Sequence, residues 1–408
     1  MNNIIKSKKG SITVFLGIVL MSMFLLTFTF IKETKHSCEV AYVNSVASVS
    51  GRSILSEYNS KLKDDYGIFA FSGLPPEISE KVLYYVNNSL DEKETLKIRG
   101  VESDTSDFEL SNLNVFKKEI IEYSKYLIAK SLIEKDETAD FIITGKQVIG
   151  EMRDGIIKNS SVINSLPSRE ISVNDNIISK FKENINGLES IFTTIGDELL
   201  LENYFFNVCG NGGKTYKKDT FFANEIEYLI AGKQSDYGNF LKVKRKIIMV
   251  RNLLNLLYIK SDPKMMAEIK SLALLMTPGP AAIGTELILM EGWALAEAHN
   301  DFKLLVNRKK VPIYKTKMNW AIDLESSINS NKNGFIDTKN KSGLNYKGYL
   351  KLLLHFVDSD TKLVRMMDLM QINLQGTKDK GFLIKAANTG FYFNLNVNGK
   401  NYEYEEKY

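Results

Sequence analysis

The sequence predicts an α+β protein: one N-terminal transmembrane helix that continues as an amphipathic stalk helix and carries a mixed helical and antiparallel-sheet head on the extracytoplasmic side. Three observations predict it. Residues 12–31 (ITVFLGIVLMSMFLLTFTFI) carry no charge, and a helix of about twenty residues spans roughly 30 Å, the thickness of a bilayer's hydrocarbon core. Further along, apolar residues recur at three-to-four spacing in several long stretches, which is helical patterning. Near the C-terminus, two alternating runs flank Asn398-Gly399, the strongest short-range signal for a β-hairpin.

The composition bounds the rest. With 408 residues, 44% of them hydrophobic and 25% charged, the chain has room for an anchor and one large or two moderate domains with a sizeable core. A net charge of +4 from 53 basic and 49 acidic residues creates no field that points to nucleic acid. Two cysteines, Cys38 and Cys209, make neither a disulfide framework nor a four-thiolate metal site. They allow one bridge between them, or are two unrelated thiols.

Taken in order, residues 1–11 form a basic leader, 12–31 the transmembrane helix, 32–66 the stalk and 67–408 the head. Lys6, Lys8 and Lys9 precede the apolar run, whereas Lys32, Glu33 and Lys35 follow it. The positive excess puts the N-terminus in the cytoplasm and the head outside a cell membrane crossed once. A cleaved secretory signal is the competing reading, but the run exceeds a usual signal core and no Ala-x-Ala-like site precedes Lys32. Lipoprotein processing at Cys38 is opposed by the polar Thr34-Lys35-His36-Ser37 before it. Val40, Val43, Val46, Ala47, Ile54, Tyr58 and Leu62 then recur at helical spacing. One helix is therefore expected from the membrane to a glycine stop at Gly67, followed by a short strand Ile68-Phe69-Ala70-Phe71 and a turn at 72–76.

These residues resemble a known family. Lys-Lys-Gly-Ser-Ile-Thr-Val-Phe-Leu at 8–16 before an apolar run is similar to the opening of the pseudopilin-like, TadE-like proteins of tight-adherence (Tad/Flp) pilus systems. The block from Glu57-Tyr58-Asn59 to Asp65-Tyr66-Gly67-Ile68-Phe69 resembles Gram-positive envelope proteins of unassigned function that share this opening. The resemblance extends to 311–317 (VPIYKTK) and Met367-Asp368-Leu369. It implies a leader-peptidase cut between Gly10 and Ser11. It also implies a glutamate five residues past the cut, where this chain has Phe15.

Within the head, the patterning predicts a helix over 77–90, a strand near 96–99 and a bulged strand over 108–115. Helix is expected over 116–157 and 177–195, with a loop or lobe boundary near 159–176, where Ser, Asn and Pro167 cluster. Glu202 to Cys209 leads to a turn at 210–213, and 216–230 reads as strand. Helices are expected over 237–259, 264–275 and 286–306, the last two parted by Thr277-Pro278-Gly279-Pro280. Two more span 344–357 and 361–374, with β structure from 382 and a hairpin over 391–406. On that hairpin, either Tyr402 and Tyr404 or their Asn and Glu neighbours face solvent.

Residue types that carry chemistry are present, but not at chemical spacing. Gly213-Lys214-Thr215 ends like a phosphate loop, yet the first glycine of that motif would fall on Val208. Glu297 and His299 are two apart and leave a helix on different sides. Glu291 and Glu297 are expected to line a solvated helix face, and Glu286, Glu291 and Glu297 with the Pro-Gly-Pro break argue for buried soluble helices in place of a second span over 272–298. Asp358-Ser359-Asp360 reads as a helix N-cap. No catalytic, cofactor or metal residues are therefore assigned, and no small-molecule ligand. The expected function is that of an anchored, non-enzymatic envelope protein. Its partners are lipid through 12–31 and proteins of a tight-adherence pilus or type II/IV secretion-type apparatus. The alternative is a membrane-tethered enzyme or receptor with a site assembled from dispersed residues, such as Glu291 with Asp323 or Asp368.

Overall fold

Helix Lys9–Leu55 runs for 47 residues. The computed structural model to which it belongs describes residues 9–90, 96–134, 157, 160–171, 175–188, 196–210, 220–328, 334–338, 342–377 and 379–408. The two halves of the helix have opposite surroundings. From Ile12 to Cys38 every residue is exposed, including Phe15, Met21 and Phe28. The hydroxyls here bond inward: Ser22 Oγ donates to the Val19 carbonyl and Thr29 Oγ1 to the Leu25 carbonyl, both at 2.8 Å. They need no water, as a lipid setting requires. Among the described residues this is the helix long and apolar enough to cross a membrane, with a mean hydropathy of 2.5 in its most apolar window. The second half buries Val43, Val46, Ala47, Ser50 and Ile54, the spacing of one helix face.

The helix stops eleven residues before the expected end, with Leu55 in place of Tyr66. Asn59 is the cause. Its Oδ1 accepts from the Leu62 amide at 3.0 Å, capping a separate helix Ser60–Tyr66, and a capping side chain competes with helix continuation. That helix ends at Gly67 as expected.

The chain divides into two compact units. One comprises Met1–Tyr58, Phe71–Phe108 and Asn388–Tyr408; the other comprises Asn59–Ala70 and Glu109–Ala387. The division does not fall near 159–176, where short helices Ser160–Asn164 and Pro167–Glu170 replace the expected loop.

The first unit packs the buried half of the long helix against helix Pro75–Ser89 and a three-stranded antiparallel sheet. Strand Gly390–Val397 is central, between Ile98–Asp104 and Lys400–Lys407. The hairpin register sets Val397 opposite Lys400 and Phe393 opposite Tyr404. Asn398 (φ 52°) and Gly399 (φ 82°) both take the left-handed conformation that a two-residue hairpin turn demands. Phe391, Phe393, Leu395 and Val397 point into the core with Val43, Val46, Ile54, Ile78 and Val82. Tyr402 and Tyr404 lie on the half-buried face, and Asn401, Glu403 and Glu405 on the solvent face.

The second unit is helical. Helices Asp236–Ser261, Pro263–Met276 and Ala282–Val306 match the periodicity, and the Pro-Gly-Pro segment separates the last two. Helices Asp197–Val208, Tyr346–His355 and Ser359–Thr377 complete the large apolar core. Three expectations fail here and at the boundary. Residues 105–112 form turns instead of a bulged strand, and helix Leu113–Glu134 follows. Helix Glu225–Ala231 stands where 216–230 read as strand, and every one of its residues is buried. An element buried all round has no polar face, so a helical period cannot show in its sequence. A 3-10 turn, Ile384–Ala386, opens the segment read as β from 382.

Candidate functional site

Gly10 and Ser11 lie in the first turn of the long helix. Cys38 is an exposed thiol and Cys209 a buried one, with the Cys209 thiol donating to Met366 Sδ at 3.5 Å. Both are free thiols. Residues 211–219, including the Gly213-Lys214-Thr215 segment, fall outside the described residues.

The dispersed carboxylates do not assemble into a site. Glu291 accepts from Asn252 Nδ2 at 2.6 Å on an exposed surface. Asp323 caps the helix Leu324–Ile328, accepting from the Ser326 amide at 2.7 Å and its hydroxyl at 2.8 Å. Asp368 is wholly buried, accepting from the Ser168 amide at 3.0 Å and the Tyr228 hydroxyl at 2.8 Å. Each is engaged by a separate set of partners.

Glu297 overturns the expectation of a solvated face, because it is fully buried. Its Oε1 pairs with Lys315 Nζ at 2.5 Å, and its Oε2 accepts from the Ile322 amide at 2.8 Å. Lys315 also pairs with Asp301 Oδ1 at 2.7 Å. The other Asp301 oxygen accepts from Arg251 Nε at 2.9 Å. Arg251 further donates to the carbonyls of Pro312 at 3.0 Å and Ile313 at 2.7 Å, and to Asn255 Oδ1 at 2.8 Å. Burial pushes the Glu297 carboxyl up, and the Lys315 ammonium opposes that shift. Two cations and two carboxylates thus neutralise one another inside the unit. Charges so paired hold the 311–322 segment against helices Asp236–Ser261 and Ala282–Val306.

A second charged cluster is also closed. His355 Nδ1 donates to Glu202 Oε1 at 2.9 Å, and the Lys362 ammonium, whose side chain is fully buried, contacts Glu198. Burial and the nearby Lys180 lower the Lys362 ammonium to about 7.

Among the described residues of this unit, two cavities stand out. One, of about 1030 Å³, is lined by His299, Lys303, Asp323 and Glu325 with Leu295 and Phe335. The His299 ring donates to the Leu295 carbonyl at 2.9 Å. Its charges are mixed, and Asp323 is occupied with helix capping. The other, of about 520 Å³, is lined by Arg169, Lys233, Lys242, Arg365, Asp175 and Ser168, with Ile157 and Leu166 as apolar wall. Gly232 (φ 62°) ends helix Glu225–Ala231 at its rim. A Cβ at Gly232 would meet Arg365 Nε at 2.7 Å, so only glycine lets the guanidinium lie against the backbone there. These basic residues come from separate stretches of the sequence, and no motif announces them. The one sequence signal nearby is Met367-Asp368-Leu369, whose Asp368 lies behind the cavity wall through Ser168 and Tyr228.

Residues 117–399, more than half of the chain, match a family described as a family of unknown function, DUF5702. No curated protein and no solved structure matches the chain.

Proposed function

This chain belongs to the family of unknown function DUF5702, and from that premise we propose that it is a single-pass membrane protein of the cell envelope. In this reading it is non-enzymatic, keeps its N-terminus in the cytoplasm and presents its folded units outside. It serves as a pilin-like or accessory component of a tight-adherence pilus or a related secretion-type apparatus.

The observation that carries the reading is the helix Lys9–Leu55. Its first half is bare and apolar, and its second half supplies Val43, Val46, Ala47 and Ile54 to a folded core. Membrane anchor and folded unit then share one hydrogen-bonded rod, so a load on the unit reaches the bilayer without crossing a flexible joint. The lysines at 6, 8 and 9 support the orientation. The pilus assignment draws on the 8–16 opening. Phe15 supplies no anionic group at the position where an intramembrane carboxylate would find a partner, which favours an accessory protein over a filament subunit.

The test is the mass of the N-terminal peptide of the protein recovered from its native membrane, with protease accessibility measured on intact cells. A peptide that retains residues 12–31 and a digestible head are expected. A start at Ser11 would move the reading toward a processed pseudopilin. A start beyond Ile31 would overturn the anchor, and a head digested only after cell lysis would overturn the orientation.

A further inference from the structure

Among the described residues, the cavity bounded by Arg365 and Lys242 carries more positive than negative charge. Four cations line it, Arg169, Lys233, Lys242 and Arg365, against one carboxylate, Asp175. That surplus compares with +4 for the whole chain. The carboxylate is already shared: Asp175 pairs with Lys242 at 2.5 Å and with Lys246 at 2.5 Å. Arg365 is 5% exposed. Its Nη1 donates to the Leu229 carbonyl at 2.7 Å, and among the described residues no carboxylate lies within ion-pair distance of it. Asp175 and, more weakly, Asp368 act on it only through space, and both Asp368 oxygens are bonded to Ser168 and Tyr228. A buried guanidinium at a cavity wall with no paired carboxylate is costly unless an anion completes it.

The shape narrows the anion. Arg169 and Lys233 are exposed at the rim, Lys242 is half-buried and Arg365 is buried. The charge therefore runs inward as a funnel, which focuses the field on its floor. A planar guanidinium donates in a fork that suits phosphate oxygens, and a phosphate monoester carries about −1.5 to −2 at neutral pH, which offsets most of the surplus. The cavity volume of about 520 Å³ falls in the usual range for small-ligand sites and leaves space beyond a phosphate group beside Ile157 and Leu166. We propose that this cavity binds a small phosphate monoester, with its phosphate on Arg365 and Lys242 and its organic part against the apolar wall. Burial also lowers the Arg365 and Lys246 cations from their ordinary values, and a bound anion would reverse that direction.

The experiment is calorimetric titration of the full-length protein in detergent, at fixed ionic strength and neutral pH, with phenyl phosphate and with inorganic phosphate. Phenyl phosphate should bind about tenfold more tightly than inorganic phosphate. The double variant Arg169→Glu with Lys233→Glu, both exposed and safe for folding, should weaken phenyl phosphate by about tenfold or more. Lys264→Glu, elsewhere on the same unit, should leave it unchanged. Equal affinity for the two probes would overturn the ester assignment in favour of free phosphate. Absence of binding by either, or binding indifferent to the rim reversal, would overturn the site. The result is independent of how the N-terminus is processed.

Discussion

The unit closed by the C-terminal hairpin and the helical unit are both well filled, but they differ in what fills them. The buried residues of the first are Val, Ile, Phe and Leu, with Ser50, Thr105, Asn388 and Thr389 as its buried polar groups among the described residues. The second buries Arg251, Glu297, Asp301, Lys315, Lys362, Arg365 and Asp368. Apolar burial is non-directional and indifferent to pH. Buried charge costs desolvation and tolerates one arrangement of partners. One unit is therefore held by volume and the other also by pairing, and each should fail in its own way.

The largest expected difference follows from deleting one partner of the buried network. Arg251→Ala leaves Lys315 alone against the two buried carboxylates Glu297 and Asp301 and should cost the helical unit about 3–5 kcal/mol. Hydrogen exchange would read it as faster opening of the Asp236–Ser261 amides with no change in the hairpin Gly390–Lys407. Equal losses in both would mean that the units do not open separately. Replacing Arg251 and Asp301 together by Met and Leu should recover much of the loss, because no unpaired charge is then left.

The pH responses should run in opposite directions. Burial pushes the Asp368 carboxyl up to about 6, so its protonated form is favoured in the folded state. Its contribution is complete below the ordinary carboxylate value of 3.8 and is lost as pH rises through about 6. That is roughly 3 kcal/mol over the window. In the first unit, burial tends to raise Glu57, but hydrogen bonds from Lys81 and Tyr85 prevail and lower it. The Glu57 contribution is present above the ordinary value and is lost as pH falls through the lowered one. Acidification from neutral pH to about 4 should protect the helical amides, and only further acidification, through the lowered Glu57 value, should loosen those of helix Pro75–Ser89. Asp368→Asn should abolish the first response and leave the second.

Smaller effects test whether volume alone holds the first unit. Ile54→Ala, at a fully buried position, should cost about 2–3 kcal/mol. The loss should be the same at acid and neutral pH; a pH-dependent loss would reveal a hidden polar role. Gly399→Ala places a Cβ in the left-handed turn and should cost about 1 kcal/mol, seen as local fraying of the hairpin ends.

The same contrast explains what the sequence could reveal. The hairpin was readable because its alternation and its Asn398-Gly399 turn are neighbours in the chain. The exposed segment 12–31 and the long helices of 236–306 were readable because each presents a continuous local pattern. Glu225–Ala231 read as strand because it is buried on all sides. The stalk was drawn through Asn59 because periodicity alone does not register a capping oxygen. Glu297 looked solvated because its partners Lys315 and Ile322 come from a later loop. The basic cavity lies furthest from local signals: Arg169, Lys233, Lys242 and Arg365 meet only after several helices have packed.

The first unit draws on the start, an early stretch and the last stretch of the chain. During synthesis the N-terminal helix is made first, while the strand Gly390–Val397, which covers Val43, Val46 and Ile54, follows only after the whole of Glu109–Ala387. The uncovered face must wait through the production of the whole helical unit, which can fold from its own sequence in the meantime. A message interrupted before codon 388 would therefore yield a polypeptide whose sticky face stays open, an exposed apolar patch that proteases can recognise.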